Sequence, residues 1–286
     1  MSSKLKSMLV ILVIYLLVII GSVVVFLTLP TTLSLLIRVL IADVIATMLI
    51  WLLSLMLKNA SLYDPYWSVI PPVILVLVMM AEKTFTLPLV ILLTALSLWA
   101  IRLTYNWGKL WQDFSHVDWR YENFKKMAPR LYPLVSFFGI MLFPTLIVFA
   151  QLVGPLAMIK AQTATFGVYS VLGAITMIGA TLLQFVADSQ MQTFKQDSKN
   201  KGKIMQEGVW KYSRHPNYLG EILVWWGTYL FTIDAFGFSY FIIFPILMTL
   251  MFRFISVPLL ENKILSTRPA YKAYKETARM FIPIKK

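Results

Sequence analysis

The chain has 286 residues, of which 59% are hydrophobic and only 14% charged, with a mean hydropathy of +0.74. That is more apolar surface than a soluble core of this size can hide, so the chain belongs in a bilayer. Its net charge of +13 arises from 26 Lys and Arg against 13 Asp and Glu. The absence of cysteine excludes disulfides, thiolate-bound metals and cysteine nucleophiles, and two histidines leave no basis for a His-built metal centre.

Eight apolar stretches follow one another at 8–28, 33–57, 67–81, 87–105, 132–153, 165–187, 218–233 and 237–257. They predict an all-α, polytopic membrane bundle of about eight (seven to eight) helices, the third and seventh being short for a span of about 20 residues. The first run is too long for a signal-peptide core and passes through the Thr28-Leu-Pro-Thr31 turn into a second, so it is read as a spanning helix. The chain divides into an N-terminal helix pair (1–60) and a region 61–286 within one membrane domain, with long loops at 106–131 and 188–216. If both termini are cytoplasmic, 21 basic residues face the cytoplasm and two, Lys83 and Lys160, face the far side; Arg38, Arg102 and Arg253 lie within apolar runs. The bias fits the positive-inside rule, so the basic loops are topology signals and lipid contacts rather than a nucleic-acid surface.

Polar residues inside apolar runs are the candidates for chemistry, because each charge at membrane depth costs a few kcal/mol. In the second run Arg38 and Asp43 are read as a pair filling the bundle and are left out of the site. Between the second and third runs, Tyr63-Asp64-Pro65-Tyr66-Trp67 sets an acid among aromatics. The fourth run carries Trp99, Arg102 and Asn106 at helical spacing. Tyr66, Trp107, Trp111 and Trp119 are read as interfacial anchors, and the Asp118-Trp-Arg-Tyr121 loop as a flap whose Arg120 contacts phosphate. The sixth run places Gln184, Asp188, Gln192 and Lys195 on one face, leading out of the membrane.

The stretch Gly208-Val-Trp-Lys-Tyr-Ser-Arg-His-Pro-Asn-Tyr-Leu-Gly-Glu221 follows. Pro216 suits the first turn of a helix, which puts Arg214 and His215 at its positive end, an arrangement that attracts anions, phosphate above all. Asn217, Glu221 and Trp225 then recur every four residues on one face. The last run carries Arg253, with Pro258 predicted to kink the helix and Glu261 beyond it.

Asp188, Lys195, the Gly208–Glu221 stretch and Trp225 together resemble the C-terminal half of the steroid 5-alpha-reductase family, most closely its bacterial relatives. More distantly, the Arg-His-Pro-x-Tyr-x-Gly pattern is similar to sterol reductases and isoprenylcysteine carboxyl methyltransferases. The resemblance covers about residues 60–286. It implies an integral membrane enzyme, in a bacterial inner membrane, with an NADPH site inside the helical bundle that opens to the cytoplasm. No Gly-x-Gly-x-x-Gly follows a strand that could form a dinucleotide fold instead. The cofactor set it implies is Asp188, Lys195, Tyr212, Arg214, His215, Asn217, Tyr218, Glu221, Trp225, Arg253 and Glu261, with Arg120 from the flap. Lys195 stands where arginine is usual; Glu261 stands where the steroid enzymes have tyrosine but the methyltransferases and sterol reductases have glutamate. The glutamate and tyrosine that the steroid enzymes present to substrate are matched here by Asp64 and Trp99, giving Asp64, Trp99 and Glu221 as the catalytic candidates.

The expected reaction is reduction of an activated C=C of a lipophilic, sterol- or isoprenoid-like substrate that enters from the bilayer, with membrane lipid as the surroundings and neither metal nor nucleic acid involved. The alternative is an S-adenosylmethionine-dependent methyltransferase using the same Arg-His-Pro helix with Glu261. A lipid-binding or scaffold protein on a degenerate site is a third reading.

Overall fold

The computed structural model describes residues 2–282, is 79% helical and has no strand among the described residues. The helices are α1 (Ser3–Thr28), α2 (Leu35–Met56), α3 (Tyr66–Ala81), α4 (Leu87–Leu110), α5 (Trp119–Met127), α6 (Tyr132–Val135), α7 (Phe143–Ala161), α8 (Val168–Gln196), α9 (Pro216–Phe236), α10 (Ile243–Met251), α11 (Val257–Thr267) and α12 (Tyr271–Thr277). A π-helical turn, Ser136–Leu142, joins α6 to α7, and another, Phe252–Ser256, joins α10 to α11. Each π turn lies just ahead of a proline, Pro144 or Pro258. Proline has no N–H and crowds the carbonyl four residues back, and the wider i→i+5 turn accommodates both without breaking the rod.

Two compact units are present: residues 1–84 with 103–160, and residues 85–102 with 161–286. In the first, Ser2 and Ser34 cap α1 and α2 through Leu5 N–H and Ile37 N–H, each at 3.3 Å. Asn59 caps the 3-10 turn Ala60–Tyr63, and its Nδ2 donates to the carbonyls of Phe114 and His116 at 2.9 and 3.0 Å, which pins the segment after α4. Tyr15 Oη donates to Leu62 O at 2.8 Å, Thr47 and Thr145 hydroxyls meet at 3.0 Å, and Tyr63 reaches Thr145 at 2.9 Å. Tyr66 and Trp111, expected as interfacial anchors, are instead 2% and 5% exposed, bonded to Asp43 and to Ser7. Arg38 and Asp43 do not pair: Arg38 Nη2 donates to Phe26 O at 2.8 Å, while Asp43 Oδ1 accepts from Tyr66 Oη at 2.7 Å. Five residues apart on a 3.6-residue helix, the two side chains leave on different faces.

In the second unit α8 and α9 form an antiparallel hairpin. A Cβ on Gly173 would lie 2.7 Å from Gly227 O, and one on Gly220 2.8 Å from Ala180 O, so small residues are what let these backbones touch. Asp234, near the end of α9, caps α8 by accepting from Ser170 N–H and Oγ at 2.7 and 2.6 Å.

Among the described residues seven helices are long and apolar enough to cross a membrane, within the seven to eight expected. The helix that falls short is α9, whose apolarity is diluted by Asn217, Glu221 and its hydroxyl-bearing residues. It nevertheless accompanies α8 from Gly220 beside Gln184 to Asp234 beside Ser170, a rise of roughly 21 Å. Twelve of its 21 residues are buried, so protein covers most of it and the helix needs little greasiness of its own. The loop expected over 188–216 is shorter, because α8 continues to Gln196.

Candidate active site

The polar groups of the second unit gather in two places. In the first, α4, α8 and α9 each contribute a pair of side chains one turn apart: Trp99 and Arg102, Gln184 and Asp188, Glu221 and Trp225. Glu221, 3% exposed, accepts at Oε2 from Trp99 Nε1 (2.9 Å) and Gln184 Nε2 (2.8 Å), and at Oε1 from Trp225 Nε1 (3.2 Å). The indoles of Trp99 and Trp225 meet edge to face, 5.1 Å between centroids. Arg102 extends the chain, donating through Nη1 to Gln184 Oε1 at 2.7 Å and through Nη2 to Asp188 Oδ2 at 2.6 Å, while its Nε is buried without a partner. The result is a continuous line, Asp188–Arg102–Gln184–Glu221, in which the guanidinium meets the Asp188 carboxyl directly and Glu221 through the Gln184 amide. Apart from the unmet Arg102 Nε, the hydrogen bonds of this network hold each group in a single orientation. Asn217, one turn before Glu221, is half-buried; its backbone carbonyl accepts weakly from Gln184 at 3.4 Å, and its side-chain amide makes no hydrogen bond among the described residues.

The second cluster surrounds Glu261, 3% exposed on α11. Its Oε1 receives Arg214 Nε and His215 Nε2, both at 2.9 Å, and Tyr271 Oη at 3.3 Å; its Oε2 receives Lys275 Nζ at 2.8 Å. A short parallel bridge ties Ser213 to Arg279, with Arg214 N–H on Arg279 O (2.9 Å) and His215 N–H on Met280 O (3.1 Å). Tyr274 Oη donates to the carbonyls of Trp210 and Ser213. Burial pushes the His215 imidazole below its ordinary pKa, against the upward pull of Glu261. The Arg-His pair, read as an anion site at the start of α9, is thus turned onto a carboxylate of its own chain. Tyr218 stacks on His215 at 5.5 Å with its ring 11° from parallel.

In the first unit Asp64 accepts a hydrogen bond from Tyr121 Oη. Burial, with the Asp64 charge second, raises the Tyr121 phenol well above its usual pKa. Arg120 bonds Asp118, the α5 N-cap, through Nε at 2.8 Å and Nη2 at 3.1 Å.

The structure therefore brings together Trp99, Asp188, Glu221 and Trp225, with Asn217 adjacent, and separately Arg214, His215 and Glu261. Lys195, Tyr212 and Arg253 join neither cluster: Lys195 is exposed, Tyr212 is 42% exposed, and Arg253 lies outward over the Phe254 ring at 5.4 Å. Arg102 and Gln184 were visible as members of polar helical stripes but had not been placed in the site. Tyr121 was read as part of a flap, and Tyr271 and Lys275 gave no signal beyond their i, i+4 spacing. Among the described residues no three His, Asp or Glu side chains converge as metal ligands.

Fold and site together define an integral membrane helical protein with carboxylates organised inside its bundle. The chain belongs to the DUF1295 family, described as a protein family of unknown function, whose profile matches residues 50–278. An uncharacterized protein of the fission yeast Schizosaccharomyces pombe is 26% identical to it over 260 residues, covering 82% of this chain and 75% of its own. No solved structure matches.

Proposed function

We propose that the protein is a membrane oxidoreductase that transfers hydride from NADPH to an activated C=C of a lipophilic substrate, as its resemblance to the steroid 5-alpha-reductases implies. The observation that carries the reading is the pairing of Asn217 with Glu221. A half-buried amide with uncommitted donor and acceptor atoms lies one turn from a carboxylate already held by three N–H groups. A nicotinamide carboxamide is recognised by such a fixed donor and acceptor, and the order of the carboxylate supplies the preorganisation that binding needs. Methyl transfer is the less favoured reading: Glu261, which it would use, already carries Arg214, His215 and Tyr271 on Oε1 and Lys275 on Oε2, leaving little acceptor capacity for the amine of a methyl donor.

Bound NADPH would supply a hydride to the β-carbon of the conjugated system, and a proton delivered to the α-carbon would complete the reduction. Trp99, bonded to Glu221, acts as a positioning residue. A cytoplasmic opening, supported by the asymmetry of the basic residues, lets the soluble dinucleotide reach the site.

Two measurements test this. Protein purified in mild detergent is denatured and the released nucleotide identified by mass: NADP is expected, and S-adenosylhomocysteine would overturn the reading. NADPH is expected to raise the melting temperature of the wild type and to do so less for Asn217→Ala, since a ligand stabilises only the state it binds. An equal rise in both rejects the proposed pose.

A further inference from the structure

The first unit contains a cavity of about 280 Å³ between α1, α2 and α3, with Phe26, Val39, Ile74 and Leu77 among its walls. Its α1 wall and the α2 residues that line it precede residue 50, ahead of the segment that the family profile matches. Carbon covers nearly all of it, apart from the Ser22 side chain, whose hydroxyl donates to Ile19 O at 2.9 Å, and the carboxyl of Asp43. This residue is 3% exposed, and one of its oxygens accepts from Tyr66 Oη at 2.7 Å. The other oxygen has no hydrogen-bond partner among the described residues, and Asp43 is one of the residues that line the cavity. Among the described residues no cation forms an ion pair with it: Arg38, the nearest in sequence, donates through Nη2 to the carbonyl of Phe26 and lies over its ring at 4.5 Å, with its Nε buried and unmet.

A carboxyl oxygen left unmet beside an apolar chamber at membrane depth is costly, and water in such a chamber would find few other partners. We propose that this cavity binds one single-chain amphiphile whose head donates a hydrogen bond, a long-chain alcohol or amine, with the head on Asp43 and the chain along α3. The volume corresponds to roughly nine groups the size of a water molecule, at ~30 Å³ each. That suits one alkyl chain between the cavity walls. The head is selected by its donor: an ionised fatty acid brings none, and an alkane would leave the oxygen unmet. The inference does not depend on the reductase reading.

The test uses the full chain in phosphatidylcholine vesicles, photolabelled with ten-carbon diazirine probes that differ only in the head: alcohol, amine, carboxylate or none. Labelled peptides are then mapped. The alcohol and amine should label α1–α3 at the cavity wall about tenfold more than the carboxylate and the alkane, the scale of one hydrogen bond to a charged or buried group. A further preference for the amine identifies a cationic ligand, and equal labelling by the two a neutral one. Asp43→Leu should erase the head preference, and Ala42→Phe, which fills the cavity, should lower labelling by every probe. Should Asp43→Leu fail to fold, Asp43→Asn keeps the shape and is expected to abolish any excess of amine over alcohol and to reduce the excess of both over the alkane. Labelling by the alkane equal to that by the alcohol, or a head preference that survives at position 43 without the carboxylate, overturns the proposal.

Discussion

Replacing Glu261 by Gln removes one negative charge from a cluster in which it is the common acceptor of Arg214, His215, Lys275 and Tyr271. The shape of the side chain survives, so the loss is electrostatic. Arg214, whose side chain is 7% exposed, is left as an uncompensated buried cation, and breaking such a pair from one side costs about 3–5 kcal/mol. Lys275 is 38% exposed and turns to water, so its share is discounted to about 0–1 kcal/mol. A loss of about 4 kcal/mol, nearly three decades in the folding constant, is a large part of a typical stability. Thermal unfolding in detergent, followed by circular dichroism, measures it. The sharper assay is a cycle with Arg214→Leu and Glu261→Leu, in which the double variant, holding no unpaired charge, should be more stable than either single one. A loss below about 1 kcal/mol for Glu261→Gln, or strictly additive losses in the cycle, would refute the reasoning.

Two further predictions concern the same unit. Gly227→Ala places a Cβ 2.9 Å from Gly173 O and 3.2 Å from Met177 N, backbone atoms that cannot step aside, and should cost about 1–3 kcal/mol, whereas Gly179→Ala, with nothing within 4 Å, should be neutral or stabilising; matching melting temperatures for the two would reject close α8–α9 contact as the cause. Because burial lowers the His215 pKa, the unfolded chain takes up the proton first: the stability His215 contributes is complete above the unfolded value near 6.5 and is lost as the pH falls from there through the lower folded value. His215→Gln should flatten the melting temperature between about pH 7 and 5 relative to wild type, and an unchanged slope would count against a buried neutral imidazole.

The spans were legible because apolar runs of membrane length have few other uses, and the polar stripes because i, i+4 spacing survives folding. Glu221 with Trp225 and Gln184 with Asp188 are therefore pairs that can be seen in the sequence. Their convergence on Trp99 and Arg102 is not, since it depends on how α4 packs. Tyr121 and Asp64 lie 57 residues apart, and only the pinning of the intervening segment by Asn59 explains why a tyrosine of the expected flap settles on that acid. The Arg-His pair misled for a related reason: a helix start and two basic groups advertise an anion site, but the anion supplied is Glu261 from 46 residues downstream. Arg38 and Asp43 show the limit of composition, because opposite charges close in sequence need not share a face. In α9 burial by neighbours replaces hydrophobicity, which hydropathy alone cannot register.

The π turn at Phe252–Ser256 sets a tolerance of its own. Each residue of an α-helix advances the next by about 100°, so the extra residue in that turn decides which way everything after it points. Removing a single residue there would tidy the hydrogen bonding into an ordinary helix, yet it would swing Glu261 about a quarter-turn away from Arg214 and His215. Arg253, exposed within the turn, could be exchanged at little expense while a one-residue deletion beside it could not. In this stretch the protein is indifferent to spelling and strict about count.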